Sequence, residues 1–131
     1  MPYAEDYDAA AEAFDSAAQT AGTLLEPARA TLASDVMVGG RLTGQVADGI
    51  DAASVILDQV TTELTQLAAT CRERAEVCRE ALTAQQAYTA AYSDYEAELR
   101  DWQDAAHSSA GAGPQPQPPT AAVAPPSWAN N

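Results

Sequence analysis

The chain contains no lysine. Its six basic residues are all arginine, and they stand against 19 acids, a formal net charge of −13. A nucleic-acid binder needs a basic face to displace counterions, so this balance argues against DNA or RNA as a ligand. It argues equally against electrostatic binding to an anionic membrane. An acidic chain stays soluble and suits a basic partner or surface. Histidine occurs once, at His107, with no metal-ligand spacing around it. Cysteine occurs twice, at Cys71 and Cys78. On one helix that spacing is about 10.5 Å along the axis, beyond the roughly 7 Å between Cα atoms that a disulfide tolerates. Both cysteines read as small packing residues; an intermolecular bridge is the other reading. Neither forms a CxxC or zinc-finger pattern. Residues 38–45 (VGGRLTGQ) carry glycines, but they lack the Lys and Ser/Thr of a phosphate-binding loop and follow no strand. No apolar run is long enough to span a bilayer. MPYAEDYDAA opens on acids, where a secretory signal has a basic start and an apolar core. The expectation is a protein that is not an enzyme and takes no cofactor or metal. It stays in the cytoplasm or leaves by a route that reads no cleavable signal.

Glycine and proline are both missing from residues 50–106. The larger apolar residues there recur at alternating three- and four-residue steps. One register reads Ile50, Leu57, Leu64, Cys71, Cys78, Gln85, Tyr92, Leu99; the other reads Ala53, Val60, Leu67, Arg74, Ala81, Tyr88, Tyr95, Trp102. A seven-residue repeat of this kind belongs to a helix laid against other helices. Such a helix would be roughly 85 Å long and needs something to pack on. Glu73, Glu76 and Glu80 interleave with Arg72 and Arg79, the pattern of a solvated polar face.

Residues 3–34 read as a first helix, with an alanine-rich stripe through Tyr3, Tyr7, Phe14, Leu25 and Leu32. Glu5, Asp6 and Asp8 complement the positive end of its dipole. Pro27 predicts a kink or break near residues 24–27. Residues 35–44 read as the connection, with the hairpin turn at Gly39 and Gly40. Thr43 is the expected N-cap of a second helix over residues 45–106. Residues 108–131, rich in Pro and Ala, have too little apolar material to offset ordering and are expected to be disordered. Trp128 is the one large apolar side chain there, an incidental residue or a short docking peptide. The length suits one domain with a modest core. The expected fold is all-α: an antiparallel helical hairpin with a long second helix, followed by the Pro-rich tail.

Hairpin geometry gives the far end of the second helix its interest. Antiparallel pairing places Tyr7 near Arg72 and Tyr3 near Glu76. Residues beyond about 81 then outrun the first helix. Tyr88, Tyr92, Tyr95, Leu99 and Trp102 share a face there with no cover from the first helix, the mark of a partner site. Within it lies Tyr92-Ser93-Asp94-Tyr95-Glu96, a Tyr-x-x-x-Asp/Glu sequence.

This element, late on the second helix of an Ala-rich acidic hairpin without a cleavable signal, resembles the small helical substrates of the type VII (ESX) secretion systems of actinobacteria. The resemblance covers residues 1–107. It implies pairing of two hairpins into a four-helix bundle, as a homodimer or as a heterodimer with another helical hairpin protein. It also implies an export signal at Tyr92 and Glu96, read by the type VII secretion machinery. Tyr88, Tyr95, Leu99 and Trp102 would form the partner interface. Where WXG members carry Trp-x-Gly at the turn, this chain has Val38-Gly39-Gly40, so the nearer likeness is to the Esp-type secretion-associated proteins. The expected location is secreted or associated with the cell envelope. The competing reading is a cytoplasmic helical adaptor or chaperone that holds a partner on the same seam; a third is a targeting module that serves a separate effector.

Overall fold

The computed structural model describes residues 3–33, 40–108, 111 and 113–129. Among these the regular structure is entirely helical. The elements are α1 (Ala4–Thr23), α2 (Glu26–Ala33), α3 (Gly40–His107) and a terminal 3-10 turn at Ser127–Ala129. The chain divides into two compact units, Tyr3–Ala75 and a second that contains Glu76–Asn131. The boundary falls inside α3, which contributes to both.

The start of α1 is fixed by Asp6, whose carboxylate accepts the Tyr3 backbone N–H at 2.8 Å. That satisfies one donor of the open helix end. The expected break at Pro27 is present: α1 ends at Thr23, Leu24 and Leu25 form a turn, and α2 begins at Glu26. Pro27 therefore occupies the first turn of a new helix, where its missing N–H costs nothing. Threonines inside the helices donate to the carbonyl four residues back, as Thr20 does to Ser16 and Thr65 to Thr61.

The second helix is longer than expected. It begins at Gly40, whose φ of +85° only glycine adopts readily, and runs 68 residues to His107. Thr43, expected as the N-cap, lies inside it. Gly44 and Gly49 are also carried within the helix, at a cost of about 1 kcal/mol each against alanine. Once a helix is nucleated, each added residue gains a hydrogen bond, and such costs do not stop it. The expected turn residue Gly39 lies outside the described residues.

In the Tyr3–Ala75 unit, α1 and α3 are antiparallel. Asp15 forms an ion pair with Arg72, and the Arg74 guanidinium lies 6.0 Å from the Tyr7 ring centroid. Arg72 donates a hydrogen bond to the Asp15 carboxylate, and that bond and the Asp15 charge raise the Arg72 pKa, with Asp8 and Glu12 adding to the field. The register therefore differs from the expected one: Tyr7 meets Arg74 rather than Arg72. Arg74, which interrupts the apolar repeat, does so over an aromatic ring.

Among the described residues of this unit every buried one is alanine: Ala11, Ala18 and Ala21 on α1, Ala68 and Ala75 on α3. Both α3 alanines are 0% exposed and lie one heptad apart. Methyl groups at these places let two backbones approach closely, since interaxial distance follows side-chain size at the contact. The first expected register holds, with Ile50, Leu57, Leu64 and Cys71 half-buried. The second is displaced by one residue. Thr61, Ala68 and Ala75 face inward, whereas Val60 and Leu67 are exposed. Thr61 Oγ1 is buried in this seam without a hydrogen-bond partner.

The unit that contains Glu76–Asn131 is built differently. The described residues from Gly111 onward form neither helix nor strand until Ser127. The disorder expected of this tail is not shown by its described residues, of which Pro116, Pro119, Pro125 and Trp128 are half-buried.

Candidate interaction site

Helical spacing positions the aromatic residues of the second unit. Residues three and four apart on a helix are neighbours on its surface, so Tyr88, Tyr92 and Tyr95 form a continuous ring ladder. The Tyr88 and Tyr92 centroids lie 6.0 Å apart at an interplanar angle of 37°, and those of Tyr92 and Tyr95 5.7 Å apart at 55°. These separations are those of favourable tilted pairs. Tyr92 is the central rung and the exposed one, at 40% of its surface. Glu96, one turn further along, is exposed on the same side. Arg100 donates from Nε to the Glu96 backbone carbonyl at 3.4 Å, which leaves the carboxylate free of that contact.

The remaining aromatic positions are not bare. Tyr88, Tyr95, Leu99 and Trp102 are all half-buried. The Trp102 indole N–H donates to the Gly113 carbonyl at 2.8 Å. Trp102, at the end of the stripe expected to lack cover, thus bonds to the chain's own tail, a segment that hairpin geometry leaves out of account. Gly113, Pro116, Pro119, Pro125 and Trp128 are the residues that reasoning from helical periodicity missed. A signal for them was present: Pro116, Pro119, Pro125 and Trp128 are separated by multiples of three, the repeat of a polyproline II helix.

A second surface lies in the Tyr3–Ala75 unit. Val55, Ile56, Val60 and Leu67 are exposed on α3, Ile56 at 63% and Leu67 at 47%. Ile56, Val60 and Leu67 recur at helical spacing and so share one face. Elsewhere, a shallow depression on α3 is lined by Leu82, Gln85, Gln86, Thr89, Ala90 and Ser93, with no titratable group among them. Among the described residues no three His, Cys, Asp or Glu side chains gather in a way that would hold a metal ion. Among the same residues no helix is long and apolar enough to cross a membrane. Cys71 and Cys78 are both free thiols, half-buried.

Fold and surface together define an all-helical, hairpin-like protein with an aromatic ladder on its long helix. No family model, curated protein or solved structure matches the chain.

Proposed function

We propose that this chain is a non-enzymatic secreted substrate or secretion-associated protein of a type VII secretion system. In this reading it pairs with a second helical hairpin along α3 and carries its export signal at Tyr92 and Glu96. The observation that supports the signal is the exposure of Tyr92 between two other tyrosine rings, with Glu96 exposed one turn away. An aromatic ring and a carboxylate on one rigid helix face present a fixed shape to a reader. Pairing is supported by the core itself. Among the described residues its buried members are five alanines, and each buried methyl contributes on the order of 0.8 kcal/mol. Coverage of Ile56, Val60 and Leu67 by a partner would supply the larger burial that this seam lacks.

The test is export by a strain with an active type VII system. Tyr92→Ala and Glu96→Ala are expected to reduce the exported fraction at least tenfold while the cytosolic level and helicity persist. Normal export of both variants defeats the signal assignment. The exposed Ile56, Val60 and Leu67 face also favours a second reading, a cytoplasmic adaptor that holds a partner there. Recovery of the protein from the cytosol alone, with the secretion system active, selects that reading.

A further inference from the structure

The second unit holds an arrangement that the export reading does not use. Its described tail, from Gly113 to the 3-10 turn at Ser127–Ala129, has a bend at Pro114 and otherwise neither helix nor strand. Proline fixes φ near −65° and pushes the preceding residue to extended backbone. Closely spaced prolines at 114, 116, 118 and 119, and again at 125 and 126, therefore favour polyproline II. That helix has three residues per turn. Burial follows the same repeat: Pro116, Pro119, Pro125 and Trp128 are half-buried, while Pro114, Pro118 and Pro126 are exposed. Ala122, the short side chain at the intervening position, remains exposed. One face of the tail is therefore less exposed than the others. The helical element of this compact unit is the second part of α3.

On α3 the half-buried residues keep a matching step. Ala81, Tyr88, Tyr95 and Trp102 lie seven residues apart. Seven residues of α-helix advance about 10.5 Å, and one turn of polyproline II advances about 9.3 Å. The two repeats slip by about 1.2 Å per turn and so stay near step over two or three turns. The Trp102 indole bond to the Gly113 carbonyl sets where they begin. Aromatic-lined surfaces recognise polyproline II because its ordering entropy is small before docking and its carbonyls remain available to indole and phenol donors.

We propose that Tyr88, Tyr95, Leu99 and Trp102 form a docking surface for a polyproline II segment, and that residues 113–128 occupy it in cis as its built-in ligand. The surface is a recognition site held closed by the chain's own tail, and a proline-rich segment of the same period competes for it in trans. A tethered ligand meets its site at millimolar effective concentration, so the tail excludes weak competitors and yields to strong ones. The inference stands on the second unit alone and holds whether or not the chain is exported.

The experiment compares the wild-type full chain with a full chain that carries Pro116→Ser, Pro119→Ser, Pro125→Ser and Trp128→Ser. The probe is a fluorescent synthetic peptide of residues 111–131, followed by anisotropy. The substituted chain is expected to bind the peptide saturably and at least tenfold more tightly than the wild-type chain. Adding Tyr95→Ala to the substituted chain should weaken binding at least tenfold. A peptide with the same three prolines replaced by serine should not bind. Equal binding by wild-type and substituted chains overturns occupancy in cis, and no saturable binding by the substituted chain overturns the recognition site. A second readout covers the case in which Tyr95→Ala perturbs folding. In the Trp128→Phe full chain, Trp102 is the sole tryptophan. Its emission should shift red when the three prolines are replaced; an unchanged spectrum overturns the proposal.

Discussion

The two units of this chain share one helix and use it in opposite ways. In Tyr3–Ala75 the contact is made by alanine, buried to 0% at Ala68 and Ala75. In the unit of Glu76–Asn131 no described residue is fully buried; tyrosine, tryptophan and proline are half-buried there, and the Trp102 indole bonds to the Gly113 carbonyl. Small residues bring two helix backbones close and leave no space for adjustment, because interiors packed at crystal-like density do not yield. Large flat residues at half burial keep a solvent route, which is what exchange of one extended ligand for another requires. The difference teaches that side-chain size, more than apolar count, decides which part of a long helix is fixed and which is available.

The comparison is most easily broken at the alanine seam. Ala75→Leu should destabilise the protein by about 1–3 kcal/mol through overpacking, read as a lower urea midpoint by circular dichroism. The same change at exposed Ala97 should stay within about 0.5 kcal/mol. Equal effects at both positions would remove the distinction between the units. Next in size is Thr61→Val. It removes a buried hydroxyl without a partner and should stabilise by about 1 kcal/mol; a loss of stability would place an unseen partner on that oxygen. Leu67→Ser, on the exposed face of α3, should leave unfolding within about 0.5 kcal/mol. It should abolish any self-association seen by light scattering, and an unchanged oligomer would move the partner surface elsewhere. The smallest effect is expected for Arg72→Ala. The Arg72–Asp15 pair is exposed on both sides, so the shift in Tm should be small and should vanish as salt is raised. The raised Arg72 pKa keeps the guanidinium charged, so Arg72 brings no loss of stability as pH rises through the neutral range.

Much of the fold was legible in the sequence because its signals are local. The run without glycine or proline marked α3, and Pro27 marked the break between α1 and α2. The register of the seam was not legible in the same way. Weighting by apolar size selected Val60 and Leu67, yet close helix approach selects the smaller Thr61, Ala68 and Ala75. The start of α3 was misplaced because Gly40 and Gly44 look like loop residues, and their individual costs are outweighed by propagation. At the candidate site, the ladder of Tyr88, Tyr92 and Tyr95 followed from helical spacing alone. Its partial cover did not, because a low-complexity tail reads as disordered by composition. The period of three through Pro116, Pro119, Pro125 and Trp128 becomes meaningful only beside a helix whose aromatic step matches it.

Amide hydrogen exchange along α3 tests the central claim that one helix serves two purposes. Slow exchange is expected over residues 57–75 in both the wild-type chain and the chain with the substituted tail. Over residues 85–102 it is expected to be faster, and to accelerate at least tenfold further when the tail prolines and Trp128 are replaced. Uniform protection from residue 57 to residue 102, indifferent to the tail, would contradict the division.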